Sequence, residues 1–532
     1  MSQQEALLSV RDGEGLLREV GDGTIRTSFD DGDSDESRKW SWRKFYAFVG
    51  PGWLMSLAYL DPGNLEADLQ QGAYTKYSLV WVLFWATIIG LILQELSSRI
   101  AVVTGQNLAQ VATTHYSTAT NRFLYLMMEI AIIGSDIQEV LGSAIGINLL
   151  SNGKIDLVTG CLITGLDTFT FLFIHIKGVR YLEALVCILI GTMAICFFIN
   201  WGEVDVNSGE LAKGWTLPTI KSYAVMQAVG TIGAVIMPHN LYLHSGLVLS
   251  RKINRNDQGR VDEAKKYFFV EAVLALAFSF LINLAIVSTF AEYFFDEDCA
   301  KDGYCCMPDS SFVHEDDKIR RCQGFDGGNG ESFSCGEIGL DTAGPALDNQ
   351  LGQFGQYMWG LGLLAAGQAS TMTATLAGQI VMGGFLDLKI SPWVRVAITR
   401  AIALGPAVIV CYTTAGDSGL TNRINEWLNI LQSVQLPFAM LPLIQLTSLK
   451  KVMGERHMLM GFHKTLCYSL AGLVLAINGY LVADYIYLDS DAPIPQTTTF
   501  NVFATVMLVI YFGSIAKIAS TKGKITSFEC EG

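Results

Sequence analysis

Charge is what this sequence is short of. Asp, Glu, Lys and Arg supply 16% of its 532 residues, against about a quarter in ordinary soluble domains. With 51% hydrophobic residues and a mean hydropathy of +0.35, that deficit excludes a water-soluble fold, and lipid is the expected solvent. Other absences narrow the class further. The first 44 residues are polar and acidic rather than basic and then apolar, so no cleavable signal peptide is expected and the first apolar span acts as the insertion signal. No His-x-x-x-His pair and no nucleophile with a base at telling spacing occurs, so an enzyme is not expected. No Asn-x-Ser/Thr acceptor occurs either, which removes N-glycosylation. The net charge of −14 gathers in the N-terminal tail and one long loop, and no nucleic-acid partner is expected.

What is present is apolar sequence in lengths near 20 residues, enough for a helix to cross about 30 Å of hydrocarbon. Candidate spans lie at roughly 46–71, 78–104, 122–150, 156–175, 181–201, 222–249, 267–290, 351–384, 393–412, 425–447, 464–485 and 499–518. The expected fold is an all-α integral membrane protein with twelve transmembrane helices. Lys and Arg mark cytoplasmic loops. They collect around Arg38 to Lys44, at Lys177 and Arg180, from Arg251 to Lys266, at Lys450, Lys451 and Arg456, and from Lys517 to Lys524. Both termini are therefore expected in the cytoplasm, and the 291–349 connection on the opposite side. That loop holds Cys299, Cys305, Cys306, Cys322 and Cys335, five of the eleven cysteines. An oxidising compartment favours disulfides among them, with one left unpaired or joined to another chain. Free thiols in a disordered loop are the alternative.

Two spans carry the residues a lipid-facing helix should not have. The first contains Asp61, Pro62, Gly63 and Asn64 in succession, and the sixth contains Met237, Pro238, His239 and Asn240. Proline removes a helical hydrogen bond and clashes with the preceding turn, so each helix should break there. Freed backbone groups are tolerated at membrane depth only when buried in protein or lining a cavity. An intramembrane Asp commonly marks an ion pathway. Interruptions in matching positions of two halves point to a midplane binding site between them. If spans 1–5 and 6–10 are repeats, each has an odd number of helices, so the second is inverted. At the first break Asp61 offers a carboxylate and Asn64 an amide oxygen. At the second Met237 offers a thioether, and the stretch from Ala234 frees carbonyl oxygens. Oxygen alone suits Mg²⁺ and Ca²⁺, whereas added sulfur shifts preference toward softer metals.

The two tetrapeptides, with Gln94 to Gly105 after span 2 and Gln435 to Ala439 in span 10, resemble the Nramp family of proton-coupled divalent-metal transporters over about residues 45 to 520. The resemblance implies two inverted five-helix repeats of LeuT-type architecture plus two additional helices. The divisions are then a disordered tail at 1–44, a first repeat at 45–201, a second at 222–447 containing the 291–349 loop, spans 11 and 12 at 464–518, and a tail at 519–532. It also implies metal ligation by Asp61, Asn64, the Ala234 carbonyl and Met237, with Asn429 as a further contact in span 10. The expected cargo is Fe²⁺ and Mn²⁺, with Cd²⁺ and Co²⁺ as further candidates. Import runs by proton symport and alternating access, in a monomer with no resident cofactor.

Span 3 supplies Glu129, Asp136 and Glu139, whose spacing puts them near one helical face. Span 9 supplies Arg400, and span 6 His239 and His244. Histidine titrates near physiological pH, and a proton route through Asp61, His239, Glu139, Asp136 and Arg400 is expected. Buried acid and arginine pairs that only pin helices together are the alternative. In the N-terminal tail, Asp12, Leu16 and Leu17 form an acidic dileucine pattern consistent with endosomal or vacuolar membranes as well as the plasma membrane. Two rival functions follow from the same features: an amino-acid or sodium symporter of this architecture, which has no need of Met237, and a metal-permeable channel.

Overall fold

A computed structural model describes residues 40–166, 179–309, 322, 332–386, 392–414, 418–483 and 498–521. Asp12, Leu16 and Leu17 lie outside the described residues, as does the side chain of Arg400. Five helices among the described residues are long and apolar enough to cross a membrane: Val80–Thr104, Thr118–Leu150, Glu183–Gly202, Gln258–Phe294 and Ser418–Thr447. The two proline-bearing spans are absent from that set because each is divided.

We number the principal helices in chain order. The first span is split into α1 (Pro51–Ser56) and α2 (Pro62–Thr75). There follow α3 (Val80–Thr104), α4 (Thr118–Leu150) and α5 (Val179–Gly202). The sixth span is split into α6 (Val225–Val235) and α7 (Pro238–Val248). Next come α8 (Gln258–Phe294), α9 (Leu340–Leu351), α10 (Gln353–Leu386), α11 (Pro392–Thr414) and α12 (Ser418–Gln435). The chain closes with α13 (Pro437–Thr447), α14 (Gly461–Ala483) and α15 (Thr498–Ser520).

Helices α4 and α10 form the closest pairing. A Cβ on Gly146 would meet the Gly360 carbonyl at 2.9 Å, and one on Gly367 would meet Ser143 Oγ at 2.2 Å. Small residues on both helices thus let the backbones approach, as dispersion-driven packing in lipid requires. A disulfide between Cys161 and Cys411, 250 residues apart, ties the short helix Leu157–Leu166 to α11. Nothing in the spacing of these two cysteines announces it.

The outer loop departs from an all-α expectation. Strand β1 (Cys305–Pro308) pairs antiparallel with β2 (Phe333–Gly336), placing Cys306 opposite Cys335. Disulfides Cys299–Cys335 and Cys306–Cys322 hold this hairpin to the end of α8 and to the loop. Cys305 is the unpaired fifth cysteine; it is buried, and burial pushes its thiol up, away from the reactive thiolate.

Candidate metal site

Both breaks occur where proline demands them. Leu60 leaves helical geometry at φ −140°, ψ 16°, and Asp61 becomes the N-cap of α2, accepting from the Asn64 backbone N–H at 2.8 Å. Pro62 then occupies the first helical position, where a missing N–H costs nothing. In the sixth span Ile236 is extended at φ −116°, ψ 74°, Met237 is the N-cap and Pro238 opens α7.

Residues 54–75 and 233–245 are buried without exception, so the freed backbone groups face protein rather than lipid. Side chains satisfy several of them. Asn283 Nδ2 donates to the Tyr59 carbonyl at 3.0 Å, Ser279 Oγ to the Ser56 carbonyl at 3.3 Å, and Asn64 Nδ2 to the Ala58 carbonyl at 3.3 Å.

The breaks face one another. Asn64 Nδ2 donates from the first broken span to the Ala234 carbonyl of the second at 3.0 Å and also to Asp61 Oδ1 at 3.0 Å. Its Oδ1 is buried with no hydrogen-bond partner among the described residues. Three residues on from Ala234, the Met237 sulfur lies 3.8 Å from Ser135 Oγ, which is 2.9 Å from Glu139 Oε1. Asn429 is also here. Its Nδ2 donates to the Gly63 carbonyl at 3.1 Å and its Oδ1 accepts from Gln138 Nε2 at 2.9 Å. Asp61, Asn64, Ala234, Met237 and Asn429 are thus on the two broken segments and the helix beside them, all at most 2% exposed.

Glu129, Asp136 and Glu139 are buried on α4, at 8%, 3% and 2% exposure, as their spacing requires. His239 and His244 are buried on α7. Neither ring nitrogen of His244 has a hydrogen-bond partner among the described residues, and neither does His239 Nδ1. Ser135 and Gln138, which join α4 to both breaks, carry no acid or base and were not singled out from the sequence. Their signal is weak: two polar residues flanking Asp136 in an otherwise apolar helix.

Over residues 52–484 the chain matches the family model described as Nramp, natural resistance-associated macrophage protein-like. It is 44% identical over 458 residues to "Metal transporter Nramp4" of Arabidopsis thaliana, covering 86% of this chain and 82% of the relative. It is likewise 44% identical over 453 residues to "Metal transporter nramp1 homolog" of Dictyostelium discoideum, covering 85% and 78%. Among solved structures it is similar to a manganese transporter of Eremococcus coleocola crystallised with an aromatic bis-isothiourea substituted compound. The TM-score there is 0.74 at 25% identity, over 90% of this chain and 94% of that one.

Proposed function

The chain belongs to the Nramp family, and from that premise we propose that it is a secondary active transporter importing divalent transition-metal ions, Mn²⁺ and Fe²⁺ first, with protons. Twelve spans in two inverted five-helix repeats plus two further helices, both termini cytoplasmic, carry it in a plasma or endosomal/vacuolar membrane. The observation behind this reading is the contact of the two breaks: a carboxylate, an amide and a main-chain carbonyl share one buried point, with a thioether three residues away in the same interrupted segment.

The cation is the cargo. Asp61 supplies the charge that offsets dehydration, the Ala234 carbonyl and Asn429 supply neutral oxygens, and Met237 supplies the soft donor that disfavours Ca²⁺ and Mg²⁺. Coordination asks the Asn64 amide to turn so that its oxygen, rather than its NH₂, meets the ion. That rotation withdraws Nδ2 from the Ala58, Asp61 and Ala234 oxygens, leaving the last two for the ion, while Oδ1 has no hydrogen bond among the described residues to give up.

Proton transfer runs through the buried titratable groups of α4 and α7. Glu139 reaches Met237 through Ser135, Asp136 and Glu129 continue along α4, and His239 and His244 line α7. Arg400 is the assigned terminus. Moving a divalent ion inward through a negative-inside potential gains about 4.6 kcal/mol per 100 mV, at 2.3 per charge, so uptake into the cytosol is the favoured direction. Alternating access follows from the broken spans tilting against α4, α10 and α11.

The test is uptake by purified protein in liposomes with an internal pH dye. Mn²⁺ should enter saturably and acidify the lumen, and Asp61→Ala should stop both. Unaltered Mn²⁺ flux in Asp61→Ala contradicts the assignment. A radiolabelled amino acid entering instead would reveal a symporter, and non-saturating flux without acidification a channel.

A further inference from the structure

Beyond the break, on the side of the β hairpin, lies a group of acids that the central site does not use. Glu66, one turn into α2, is fully buried. Its Oε1 accepts from Gln70 Nε2 at 2.9 Å and its Oε2 from the Leu340 backbone N–H at 2.9 Å. Gln70 also hydrogen-bonds Glu426 of α12, so one amide bridges two carboxylates. Glu66 further faces the charge of Asp341 at the start of α9, and Asp341 is itself tied to the Thr342 N–H at 2.9 Å. The basic group nearby is Arg423, whose guanidinium is 54% exposed and turned to Glu337 at 3.3 Å.

Acids alone are no site, and a second, independent observation points to a ligand. Asn422 is 3% exposed, yet neither its Oδ1 nor its Nδ2 has a hydrogen-bond partner among the described residues. Its Oδ1 is pressed against Gly339, 1.6 Å from where a Cβ would stand, beside the Leu340 N–H that holds Glu66. A buried amide with both ends unsatisfied is destabilising, and a cation taken up by its oxygen removes part of that cost. Gln70 and Glu426 also line a small cavity together with Asn429, whose amide donates to the Gly63 carbonyl at the central break.

We propose that Glu66, Glu426, Asp341 and the Asn422 amide form a second divalent-cation site, through which ions pass on their way to Asp61 and Met237. It rests on the transport reading above. All its donors are oxygen, which suits Mn²⁺ and Ca²⁺ alike. It collects cations without choosing among them, and the choice falls to the thioether further in. Two consequences separate this role from carboxylates that merely pin α2 to α12. Ca²⁺ occupies the outer site and competes with Mn²⁺ without being carried, and recruitment weakens as ionic strength rises.

The experiment counts Mn²⁺ bound to purified full-length protein by loss of the free-ion electron paramagnetic resonance signal, beside liposome uptake. Wild type should hold a second ion beyond the central one. One ion retained by Asp61→Ala supports the outer site whatever the flux does; none retained overturns it. Glu66→Gln with Glu426→Gln should lose one ion and raise the KM for Mn²⁺ roughly tenfold, as expected for a lost focusing field. Ca²⁺ competition and the salt dependence of KM should vanish with it. Glu426→Gln alone, at a half-buried position, gives the same test should the double variant fold poorly. Unchanged ion count, KM and Ca²⁺ competition in that single variant would overturn the proposal.

Discussion

At the scale of single residues, the central site is built from groups that already have other work. Asn64 Nδ2 satisfies two carbonyls and Asp61 at once, and Asn429 satisfies Gly63 and Gln138. Met237 differs: its sulfur makes one weak contact, with Ser135 at 3.8 Å, so truncating it leaves no strong donor orphaned. Met237→Ala should therefore fold normally and keep Mn²⁺ uptake while its preference for Mn²⁺ over Ca²⁺ falls by roughly tenfold, equivalent to about 1.4 kcal/mol. Radiolabelled Ca²⁺ uptake beside Mn²⁺ uptake measures it, and an unchanged ratio would remove sulfur from the account of selectivity. Asn429→Ala should behave in the opposite way. It strands the Gly63 carbonyl and one Gln138 hydrogen in a buried place, at about 1–3 kcal/mol for each unsatisfied group. Thermal unfolding in detergent should register that loss even without any metal present.

At the scale of elements, the short helix α1 cannot hold itself, because six residues are far below the length at which an isolated helix is stable. It is held from outside. Glu271 of α8 accepts from the Gly50 N–H at 2.5 Å and the Gly52 N–H at 2.9 Å. Arg251, just past α7, donates to the Val49 carbonyl at 2.8 Å and to Glu183 of α5 at 2.8 Å. The Arg251 and Glu183 side chains are 2% and 8% exposed, so removing one partner leaves a buried charge uncompensated, a loss of about 3–5 kcal/mol. Arg251→Ala should free the N-terminal end of α1. A cysteine placed at Leu54, buried in the first turn of α1, should then be modified faster by a water-soluble thiol reagent than in the parent, and an equal rate would show that the clamp does not hold this end. The breaks themselves were legible in the sequence, because proline and a carboxylate inside an apolar run have few other meanings. The clamp was not. Gly50, Glu183, Arg251 and Glu271 are scattered over more than two hundred residues, and Arg251 reads first as an orientation signal. Glu66 and Glu426 carried no signal that singled them out in the sequence, and only folding puts both on the Gln70 amide.

At the scale of the whole molecule, the disulfide and the closest helix packing fall on one part of the structure, and the proposed transport cycle asks the broken spans to move against it. Helices α4 and α10 meet backbone to backbone at Gly146 and Gly367, and Cys161–Cys411 ties two more spans together. The broken spans meet this frame through side chains: Pro62 packs on Gly142 of α4, and Asn429 links the Gly63 carbonyl to Gln138 of α4. Hydropathy locates the spans but not this division, because a frame helix and a moving helix are equally apolar and the disulfide partners stand 250 residues apart. If the frame stays rigid while the broken spans rock, the native staple is compatible with turnover and a new one between the parts is not. Cys161→Ala with Cys411→Ala should lower stability by about 2–4 kcal/mol, the usual contribution of a disulfide, yet leave Mn²⁺ uptake within a factor of about two, well under one decade. By contrast, a Cβ on Gly246 of α7 would lie 2.4 Å from Ile380 Cδ1 of α10, so cysteines at those two positions bridge hinge to frame. Oxidising the Gly246→Cys, Ile380→Cys protein should stop uptake, and a reducing agent should restore it. Full uptake in the oxidised form, with the cross-link verified by mass spectrometry, would mean that α7 and α10 move as one body and that the division between frame and hinge lies elsewhere.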